Sequence, residues 1–428
     1  MDSVDNLYLE RYAYPKRLIK SDPNDEVNII VVIPCFNEPD LITSLISLDQ
    51  CDAPGCNVEV IIIINEAENC SIDISKRNRQ TFDEASQWIY ENKSESIDFH
   101  LIYLDNLPKK QAGVGLARKI GMDEAVRRFE FLKKHDNGII VCFDADSQCD
   151  KNYFTAIEKH FLQYSLSPAC SIYFEHPLDG KEFPTNIYEG IIYYELFLRY
   201  YVSALRYTGF PYAFQTIGSS MAVRSSFYQK QGGMNKKKAG EDFYFLHKLI
   251  PLGNYTELNE TRVIPSPRIS NRVPFGTGKA ISQWVEGTGN LNNIYDPRSF
   301  MDLKQFIEKC DELFRINESQ LQRLLDSLPD SISGFLLEQN ITKKLIEINN
   351  NSSNIKTFKS RFFNWFNGFK VLKFVHYARD NHYEQVPVEQ AIEWLMNVFY
   401  KDLEKSADTK EMLLKMRIYD RSRSDQIN

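Results

Sequence analysis

The sequence lacks several features that would place a protein in a specialised class. Its eight cysteines include no Cys-x-x-Cys pair, so neither a zinc ribbon nor a redox dithiol is indicated, and we expect free thiols. Cys51 and Cys56 come closest to metal-ligand spacing, and a zinc site there is the alternative. The net charge is −7, and without a basic excess we expect no nucleic-acid partner.

Long uncharged apolar runs are also missing. The most apolar long stretch, residues 187–205, is interrupted by Glu189, Glu195 and Arg199, and charged side chains inside a membrane are costly. Residues 1–5 have neither the basic start nor the apolar segment of a secretory signal. We therefore expect a cytoplasmic protein with no transmembrane helix.

What the sequence does contain is a repeated alternation of apolar strands and helices. Four apolar runs predict strands at 27–34, 58–64, 97–104 and 138–143. Helical patterns follow the first three of them, at about 38–48, 81–91 and 115–134. Strands that are apolar on both faces and separated by helices predict a mostly parallel sheet covered by helices on both sides. The predicted fold class is therefore α/β.

Beyond residue 143 the pattern shifts towards longer helices. The predicted elements are a helix at 153–164, a strand at 170–174, an aromatic helix from 187, a strand at 216–223 and a helix at 240–250. From residue 300 the chain is helical, with an Asn/Ser-rich break at 349–354. These changes divide the chain into an N-terminal extension (1–26), an α/β domain (27–299) and a helical C-terminal domain (300–428).

Two carboxylates follow the fourth predicted strand. Asp144 and Asp146 stand one residue apart directly after the run at 138–143. Ligands of open α/β sheets bind beyond the carboxyl ends of the strands, and ionised aspartates there need a partner. Oxygen ligands of this kind suit a hard divalent cation, Mg²⁺ or Mn²⁺. The pair therefore predicts a metal site, with a helix-capping turn before Lys151 as the structural alternative.

Four short motifs then occur in a characteristic order. They are Val-Ile-Pro-Cys-Phe-Asn-Glu at 32–38, Gly-x-Gly-Leu-Ala-Arg at 113–118, Asp-Ala-Asp at 144–146 and Gly-Glu-Asp-Phe at 240–243. Together they resemble the family 2 glycosyltransferases of the Rossmann-like GT-A fold, over about residues 27–265. The resemblance implies a nucleotide-sugar donor, a divalent metal and inversion at the anomeric carbon. It also implies a glycan or lipid-linked glycan acceptor, as in cell-envelope polysaccharide biosynthesis.

The resemblance implies roles for individual carboxylates. Asp146 would coordinate the metal, and Asp144 would face the ribose and share in metal binding, with Ala145 between them against the donor. Asp242 would be the base that deprotonates the acceptor hydroxyl, a role that needs only a carboxylate in hydrogen-bond reach. Glu241 would position the acceptor, although acidic residues in the first turn of a helix also stabilise the helix dipole.

The resemblance places the nucleoside against the first two strands. Pro34, Phe36 and Glu38 lie in the loop that ends the first strand, at the ligand-binding edge. The family usually has acidic residues after the second strand, whereas this chain has Asn65. An amide both donates and accepts hydrogen bonds, so the choice among uracil, guanine and thymine stays open.

Small and basic residues would complete the donor site. By resemblance, Gly113 and Gly115 let the backbone approach the ligand, and Arg118 supplies positive charge. Arg268 and Arg272 lie in a proline- and glycine-rich loop that would close over the diphosphate or hold an anionic acceptor. Surface ion pairing is the alternative for these two arginines.

The resemblance leaves other readings open. Polymerising members carry Gln-x-x-Arg-Trp, whereas this chain has only Ser-Gln-Trp at 282–284, which favours transfer of a single sugar. A sugar-phosphate nucleotidyltransferase and a non-catalytic nucleotide- or carbohydrate-binding module are the alternatives, and retention of configuration also remains open.

Two aromatic segments allow more than one interpretation. The aromatic helix from 187 suits core packing or stacking on sugars. Residues 356–379 mix phenylalanines with lysines and arginines, which suits docking onto the first domain or a peripheral helix at the inner face of a membrane. We favour docking, because the segment has no clean polar face. For His247 the two interpretations are a metal ligand and an ordinary solvent-facing or packed histidine, and we favour the second.

Overall fold

The computed structural model describes residues 6–401 except 271, 273 and 275, together with 406 and 408–423. The ends of the predicted extension (1–26) and C-terminal domain (300–428), and part of the loop around Arg272, therefore lie outside the described residues.

The strands form one large sheet and one small ribbon. They are β1 (Val27–Cys35), β2 (Asn57–Ala67), β3 (Ile97–Leu107), β4 (Ile139–Cys142), β5 (Ser147–Cys149), β6 (Ala169–Phe174), β7 (Met221–Arg224), β8 (Thr256–Pro265), β9 (Asn293–Ile294) and β10 (Val386–Pro387). The large sheet has the order β3-β2-β1-β4-β7-β6-β8-β5. Strands β3, β2, β1 and β4 are parallel, as are β6 and β8, whereas β7 and β5 run antiparallel to their neighbours.

Helices cover both faces of this sheet and build the C-terminal part. Those of the first part are α1 (Leu7–Arg11), α2 (Leu41–Asp49), α3 (Ile72–Glu91), α4 (Val114–Phe131), α5 (Tyr153–Gln163), α6 (Thr185–Tyr207), α7 (Ser225–Lys230), α8 (Glu241–Leu249) and α9 (Thr277–Val285). The later ones are α10 (Pro297–Glu308), α11 (Glu318–Asp326), α12 (Asp330–Glu338), α13 (Ile341–Asn350), α14 (Ile355–Trp365), α15 (Gly368–Asn381), α16 (Val388–Val398) and α17 (Thr409–Ser422). The predicted α/β fold with a helical C-terminal region is confirmed.

The sequence of β1 explains why the sheet is covered on both sides. Ile29, Val31 and Ile33 belong to one apolar core, whereas Ile30 and Val32 belong to another on the opposite face. Successive side chains of a strand point to opposite faces, so a fully apolar strand requires helices on both. Because β1, β2 and β4 are parallel, their carboxyl ends lie at one common edge of the sheet.

Among the elements that differ from the sequence-based expectations are α3, β7 and β8. Helix α3 begins at Ile72, nine residues earlier than predicted. Its first turns are polar and largely exposed, so no apolar pattern marked them as helical. The strand predicted at 216–223 is shorter and begins at Met221, so the preceding residues form a loop. Strand β8 was not predicted, because its buried and exposed residues alternate and form no apolar run.

The C-terminal helices pack directly on the first part of the chain. One continuous apolar core joins Leu196 and Tyr200 of α6 with residues such as Phe300, Phe335 and Phe374 of later helices. The ribbon of β9 and β10 adds a backbone connection between the two parts. The predicted boundary at residue 300 therefore separates residues that pack in the same apolar core.

The aromatic segment at 356–379 forms α14 and α15. Phe358, Phe362, Phe363 and Phe366 are buried in the shared core, which agrees with docking and leaves no exposed face of phenylalanines. In the described part of the chain, no helix has both the length and the apolar character needed to cross a membrane.

The cysteines form no disulfide in this fold. All eight are free thiols, and Cys51 Sγ lies 3.6 Å from Cys149 Sγ. Among the described residues, no three His, Cys, Asp or Glu side chains are grouped to hold a metal ion. The alternative of a zinc site at Cys51 and Cys56 therefore gains no support.

Candidate active site

A cavity of about 1180 Å³ lies at the carboxyl edge of the parallel strands. Its size is sufficient for a nucleotide sugar, since small-molecule sites commonly enclose about 300–1000 Å³. Of the predicted site residues, all but Gly115 line it: Pro34, Phe36, Glu38, Asn65, Gly113, Arg118, Asp144, Ala145, Asp146, Glu241, Asp242, Arg268 and Arg272. The four motifs, distant in sequence, thus surround one space.

Arg118 connects two of these motifs. Its guanidinium is almost fully buried and donates from Nη2 to Asp144 Oδ1 at 2.6 Å and from Nη1 to Glu241 Oε1. The arginine is therefore neutralised by two carboxylates. This corrects the expectation of a free positive charge for the diphosphate, because the side chain fixes the Asp-x-Asp turn relative to the start of α8.

The pair Glu241 and Asp242 opens α8, directly after Gly240 in a left-handed conformation (φ +67°). Glu241 is buried, whereas Asp242 is only partly so. Asp242 Oδ1 accepts the Phe243 N–H at 2.7 Å. A Cβ at Gly218 would lie 2.8 Å from Asp242 Oδ2, so the loop before β7 needs glycine there to approach the carboxylate.

Burial controls the protonation of this pair. It raises the pKa of Glu241 to about 7, although the charge of Arg118 opposes the shift and the charge of Asp242 adds to it. It also raises the pKa of Asp242, again against Arg118. A carboxylate whose proton affinity is raised towards neutral pH is better suited to accept a proton from a hydroxyl.

Arg268 and Arg272 reach into the same cavity from the loop after β8. Arg268 donates to Asp146 Oδ2 from Nε (3.0 Å) and Nη2 (2.7 Å), and Arg272 Nη2 lies 3.4 Å from the same oxygen. Both arginines also bind Glu38. They are thus part of the cavity wall, where they form partly buried ion pairs with Glu38 and Asp146.

Glu38 is the anchor of this arrangement. Its side chain is only 1% exposed, and burial by itself would raise its pKa. The hydrogen bonds and charge of Arg268, with the charge of Arg272, outweigh burial and hold the pKa of Glu38 below its ordinary value. The ionised carboxylate therefore holds the loop after β8 against the loop after β1.

The aspartates of the Asp-x-Asp turn have the chemistry of a Mg²⁺ or Mn²⁺ site. The side chains of Asp144 and Asp146 are 38% and 24% exposed, and the arginines bind one oxygen of each, Oδ1 of Asp144 and Oδ2 of Asp146. Mg²⁺ sites commonly use one or two carboxylates plus phosphate and water rather than a complete protein cage. The residues therefore fit such a cation, which would share Asp146 with two arginines.

The predicted nucleoside region contains one buried polar atom with no partner. Asn65 Oδ1 has no hydrogen bond among the described residues, and the side chain lines the cavity. In contrast, the neighbouring Glu66 accepts hydrogen bonds from Ser75, Asn78 and Tyr103. Asn65, near the carboxyl end of β2, therefore offers an unpartnered oxygen at the cavity.

The two glycines of the second motif have different roles. Gly113 lines the cavity, but Gly115 does not. A Cβ on Gly115 would lie 2.1 Å from the carbonyl oxygen of Lys237, which is shorter than any real contact. The expectation that Gly115 lets the backbone approach the ligand is therefore wrong; it lets α4 pack against the segment before α8.

Several cavity residues were not singled out from the sequence as site residues. His176, Thr277, Phe369 and Leu372 line the cavity, and the last two come from α15 in the C-terminal part. No short motif marks them, so only the fold brings them to the site. His247 packs against Phe369, and burial lowers its pKa to about 4, which agrees with an ordinary packed histidine.

The parallel half of the sheet thus has, at its carboxyl edge, one cavity lined by residues of all four motifs. Residues 30–229 match the sequence model of the family described as Glycosyl transferase family 2. This segment is a family 2 glycosyltransferase domain, and the protein is a glycosyltransferase.

Two solved structures illustrate the similarity of fold. TarS 1–349 of S. aureus in complex with UDP-GlcNAc is 13% identical, over 79% of this chain and 91% of that chain, with a TM-score of 0.40. The mannosyltransferase PcManGT from Pyrobaculum calidifontis, in complex with GDP-Man and Mn²⁺, is 12% identical over 97% and 93%, with a TM-score of 0.33. No curated protein sequence matches the chain significantly.

Proposed function

We propose that this protein is a metal-dependent, inverting glycosyltransferase that moves one sugar from a nucleotide-sugar donor to an acceptor hydroxyl. The acceptor would belong to a glycan or a lipid-linked glycan. The observation that supports this most is the bridge from Asp144 through Arg118 to Glu241. It fixes the donor end of the cavity, at the Asp-x-Asp turn, relative to the base at Asp242.

The donor would bind along the carboxyl edge of the sheet. Phe36 and Asn65 would contact the nucleoside, since both line the cavity where β1 and β2 end. Arg268 and Arg272 would face the diphosphate after exchanging part of their hydrogen bonds with Asp146 for phosphate oxygens, because guanidinium groups bind both kinds of anion.

Asp146, with Asp144, would hold the divalent cation. When bound, the cation supplies positive charge that stabilises the departing nucleoside diphosphate. Asp242 would accept the proton of the acceptor hydroxyl as this attacks the anomeric carbon. Attack on the face opposite the leaving group gives inversion, and it needs one base only.

Peripheral contact with a membrane would follow if the acceptor is lipid-linked. The phenylalanines of α14 are buried, so the contact would be made by exposed basic residues such as Lys356, Arg361 and Lys373 and by anionic lipids. Co-sedimentation with phosphatidylglycerol vesicles tests this, and protein that stays in the supernatant at low salt would contradict it.

Nucleotide binding is the first test of the function. We expect one of UDP, GDP, TDP and CMP to bind in calorimetry, with an affinity that Mn²⁺ increases in the wild type but not in Asp146→Ala. Asp136→Ala is the matched control, because this aspartate is largely exposed and outside the cavity. Absence of binding for all four nucleotides would contradict the proposal.

The second test addresses the base. Once the nucleotide is known, the matching sugar donors are tested for turnover and for the anomeric configuration of the product. Asp242→Asn should keep nucleotide affinity and lower turnover by about 10²–10⁴-fold, the usual contribution of a general base. Unchanged turnover would exclude Asp242 as the base, and a retained anomeric configuration would exclude inversion.

A further inference from the structure

One wall of the catalytic cavity consists of residues outside the four motifs. His176, just after β6, lines it together with Tyr194 and Phe197 of α6. His176 is only 2% exposed, and its Nε2 has no hydrogen-bond partner among the described residues. A buried polar atom without a partner is costly unless something else satisfies it.

The opposite edge of the His176 ring is firmly held. Nδ1 lies 3.0 Å from Glu195 Oε2, and the His176 backbone N–H donates to the same oxygen at 2.9 Å. Burial alone would raise the pKa of Glu195, but Arg199, His176 and Arg417 hold it well below its ordinary value. An ionised carboxylate only accepts hydrogen bonds. The proton of a neutral His176 therefore sits on Nδ1, and Nε2 presents a lone pair.

The last described helix completes this support. Arg417 of α17 donates to both oxygens of Glu195, at 2.8 Å and 2.7 Å, and to the carbonyl oxygen of His176 at 2.7 Å. Arg199 is held by Asp420 of the same helix at 2.6 Å. The C-terminal part therefore fixes the position of a residue in the cavity wall.

The neighbours of His176 are aromatic. The ring of Tyr194 lies 6.4 Å from that of His176, and Phe197 follows Tyr194 by three residues, which places both on one helix face. Aromatic faces beside a hydrogen-bond acceptor suit a sugar ring, whose C–H face is apolar and whose hydroxyls donate. A phosphate at neutral pH offers mostly acceptors and matches this wall poorly.

We propose that His176, Tyr194 and Phe197 form a sugar subsite in which Nε2 of His176 accepts a hydrogen bond from a sugar hydroxyl. The subsite would add a sugar contact to the proposed glycosyl transfer, and it rests on that proposed function. The transferred sugar and an acceptor sugar share this hydroxyl chemistry, and the experiment separates them.

The variant His176→Asn removes the unpartnered Nε2 edge of the ring. The shorter amide can still donate to Glu195 in place of Nδ1, but it carries nothing at the position of Nε2. His160→Asn is the matched control, because His160 is also buried, binds Thr256 through Nε2 at 2.8 Å and does not line the cavity. Unfolding temperatures of both variants verify that each is folded.

The direct readout is ¹⁵N NMR of the full chain labelled at histidine, in which the His176→Asn spectrum assigns the signals. Three additions are compared: the nucleoside diphosphate that binds, a panel of its sugar conjugates, and the diphosphate together with methyl glycosides. We expect the Nδ1–H tautomer in the free protein and no Nε2 response to the diphosphate alone. An Nε2 response to a sugar conjugate assigns the transferred sugar, and a response to a glycoside assigns the acceptor.

The variant then measures the effect on affinity. His176→Asn should weaken the sugar-dependent part of binding by about 3- to 10-fold, as for one lost hydrogen bond, and leave the affinity for the diphosphate unchanged. His160→Asn should change neither.

Three results would overturn the subsite. A change in the Nε2 signal on addition of the diphosphate alone would show that a phosphate binds there. No change with any sugar would show that no sugar hydroxyl binds Nε2. Equal losses in His176→Asn and His160→Asn would show a purely structural effect. Failure of every nucleotide to bind would instead refute the proposed function, and a titration with methyl glycosides alone would then test the subsite separately through the Nε2 signal.

Discussion

At the scale of single residues, Arg118 is the group on which the site depends most. It is buried between Asp144 and Glu241, which belong to different motifs and carry charge of the same sign. Without the guanidinium, these carboxylates would repel each other across a low-dielectric space. A positive charge that holds two acidic motifs together is therefore a condition for the arrangement of the whole cavity.

We expect Arg118→Met to lose activity and to lower the free energy of unfolding by about 3–5 kcal/mol, because it leaves buried carboxylates unpaired. Arg118→Lys should lose less stability but remain poorly active, since an ammonium cannot bridge both partners in the same geometry. Urea unfolding and initial rates measure the two effects. Arg127→Lys, on the same helix but bound to the carbonyl of Tyr14, is the control and should stay active; wild-type rates in Arg118→Lys would refute the bridging role.

The pH dependence of the rate should follow the Glu241–Asp242 pair. The pKa of Glu241 is raised to about 7 from an ordinary 4.5, so the folded state binds this proton more tightly than the unfolded chain does. Ionisation of Glu241 between pH 4.5 and 7 therefore lowers stability, whereas ionisation of Asp242 is needed for it to act as a base. We expect kcat/KM to fall on the acid side at a pH above 3.8, the ordinary pKa of an aspartate, because burial raises the pKa of Asp242.

Glu241→Gln tests this assignment. With a pKa of about 7, Glu241 is largely protonated below that pH, so an amide in its place should leave the acid limb of the kcat/KM profile, which Asp242 sets, where it is. It should instead remove the loss of stability between pH 4.5 and 7, measured by urea unfolding across this range. Glu189→Gln, on the exposed face of α6, is the matched control and should keep that loss. An acid limb that moves in Glu241→Gln would contradict the protonation of Glu241 in this range.

Residue types and order were enough to predict the motifs that surround the cavity. Asp144 and Asp146 were found because carboxylates directly after a buried strand need a partner, and Asp242 was found through the resemblance of its motif. The pairing of Arg118 with Glu241 could not be predicted, since their distance depends on how α4 and α8 pack. His176 was missed for the same reason: its partner Arg417 lies 241 positions later in the chain.

At the scale of elements, the loop after β8 has the largest effect on the predicted metal site. Its two arginines both lie within 3.4 Å of Oδ2 of Asp146, the aspartate that is proposed to hold the cation. The continuous apolar strands β1, β2 and β4 were predicted because burial on both faces leaves a clear sequence pattern. Strand β8, with alternating burial, left no such pattern, so the sequence indicated the loop but not the strand that carries it.

We expect Arg268→Met to bind Mn²⁺ more tightly than the wild type in the absence of nucleotide. The guanidinium competes with the cation for Asp146, and its removal lowers the positive potential at that oxygen. With nucleotide present, the same variant should bind the diphosphate more weakly. Mn²⁺ titration followed by electron paramagnetic resonance measures the first effect and calorimetry the second.

Arg262→Met provides the control for this prediction. Arg262 lies on β8 as well, but it pairs with Asp150 and Glu175 and does not line the cavity. Its loss should leave Mn²⁺ affinity unchanged. Equal Mn²⁺ affinity in Arg268→Met and the wild type would mean that the arginine and the cation do not compete for Asp146.

At the scale of the whole molecule, the C-terminal helices are part of the catalytic unit. They share one apolar core with α6, they supply Phe369 and Leu372 to the cavity, and α17 binds Glu195 and Arg199 through buried ion pairs. The sequence indicated a helical C-terminal domain and the docking of residues 356–379, but not these ion pairs, because their partners are separated by more than two hundred residues. The predicted boundary at residue 300 therefore marks a change of sequence pattern and not a break in packing.

We expect the full chain to unfold in a single transition. A shared core and buried ion pairs make the unfolding of either part costly for the other, so fluorescence from Trp88 in α3 should change together with that from Trp365 and Trp394. Variants that retain only Trp88, or only the two later tryptophans, report the two parts separately in urea. Arg417→Met should shift both curves to lower urea together, by about 3–5 kcal/mol in unfolding free energy, because it leaves buried Glu195 short of a partner. Separate midpoints for the two reporters would contradict this and would establish residues 300–428 as a domain that folds on its own.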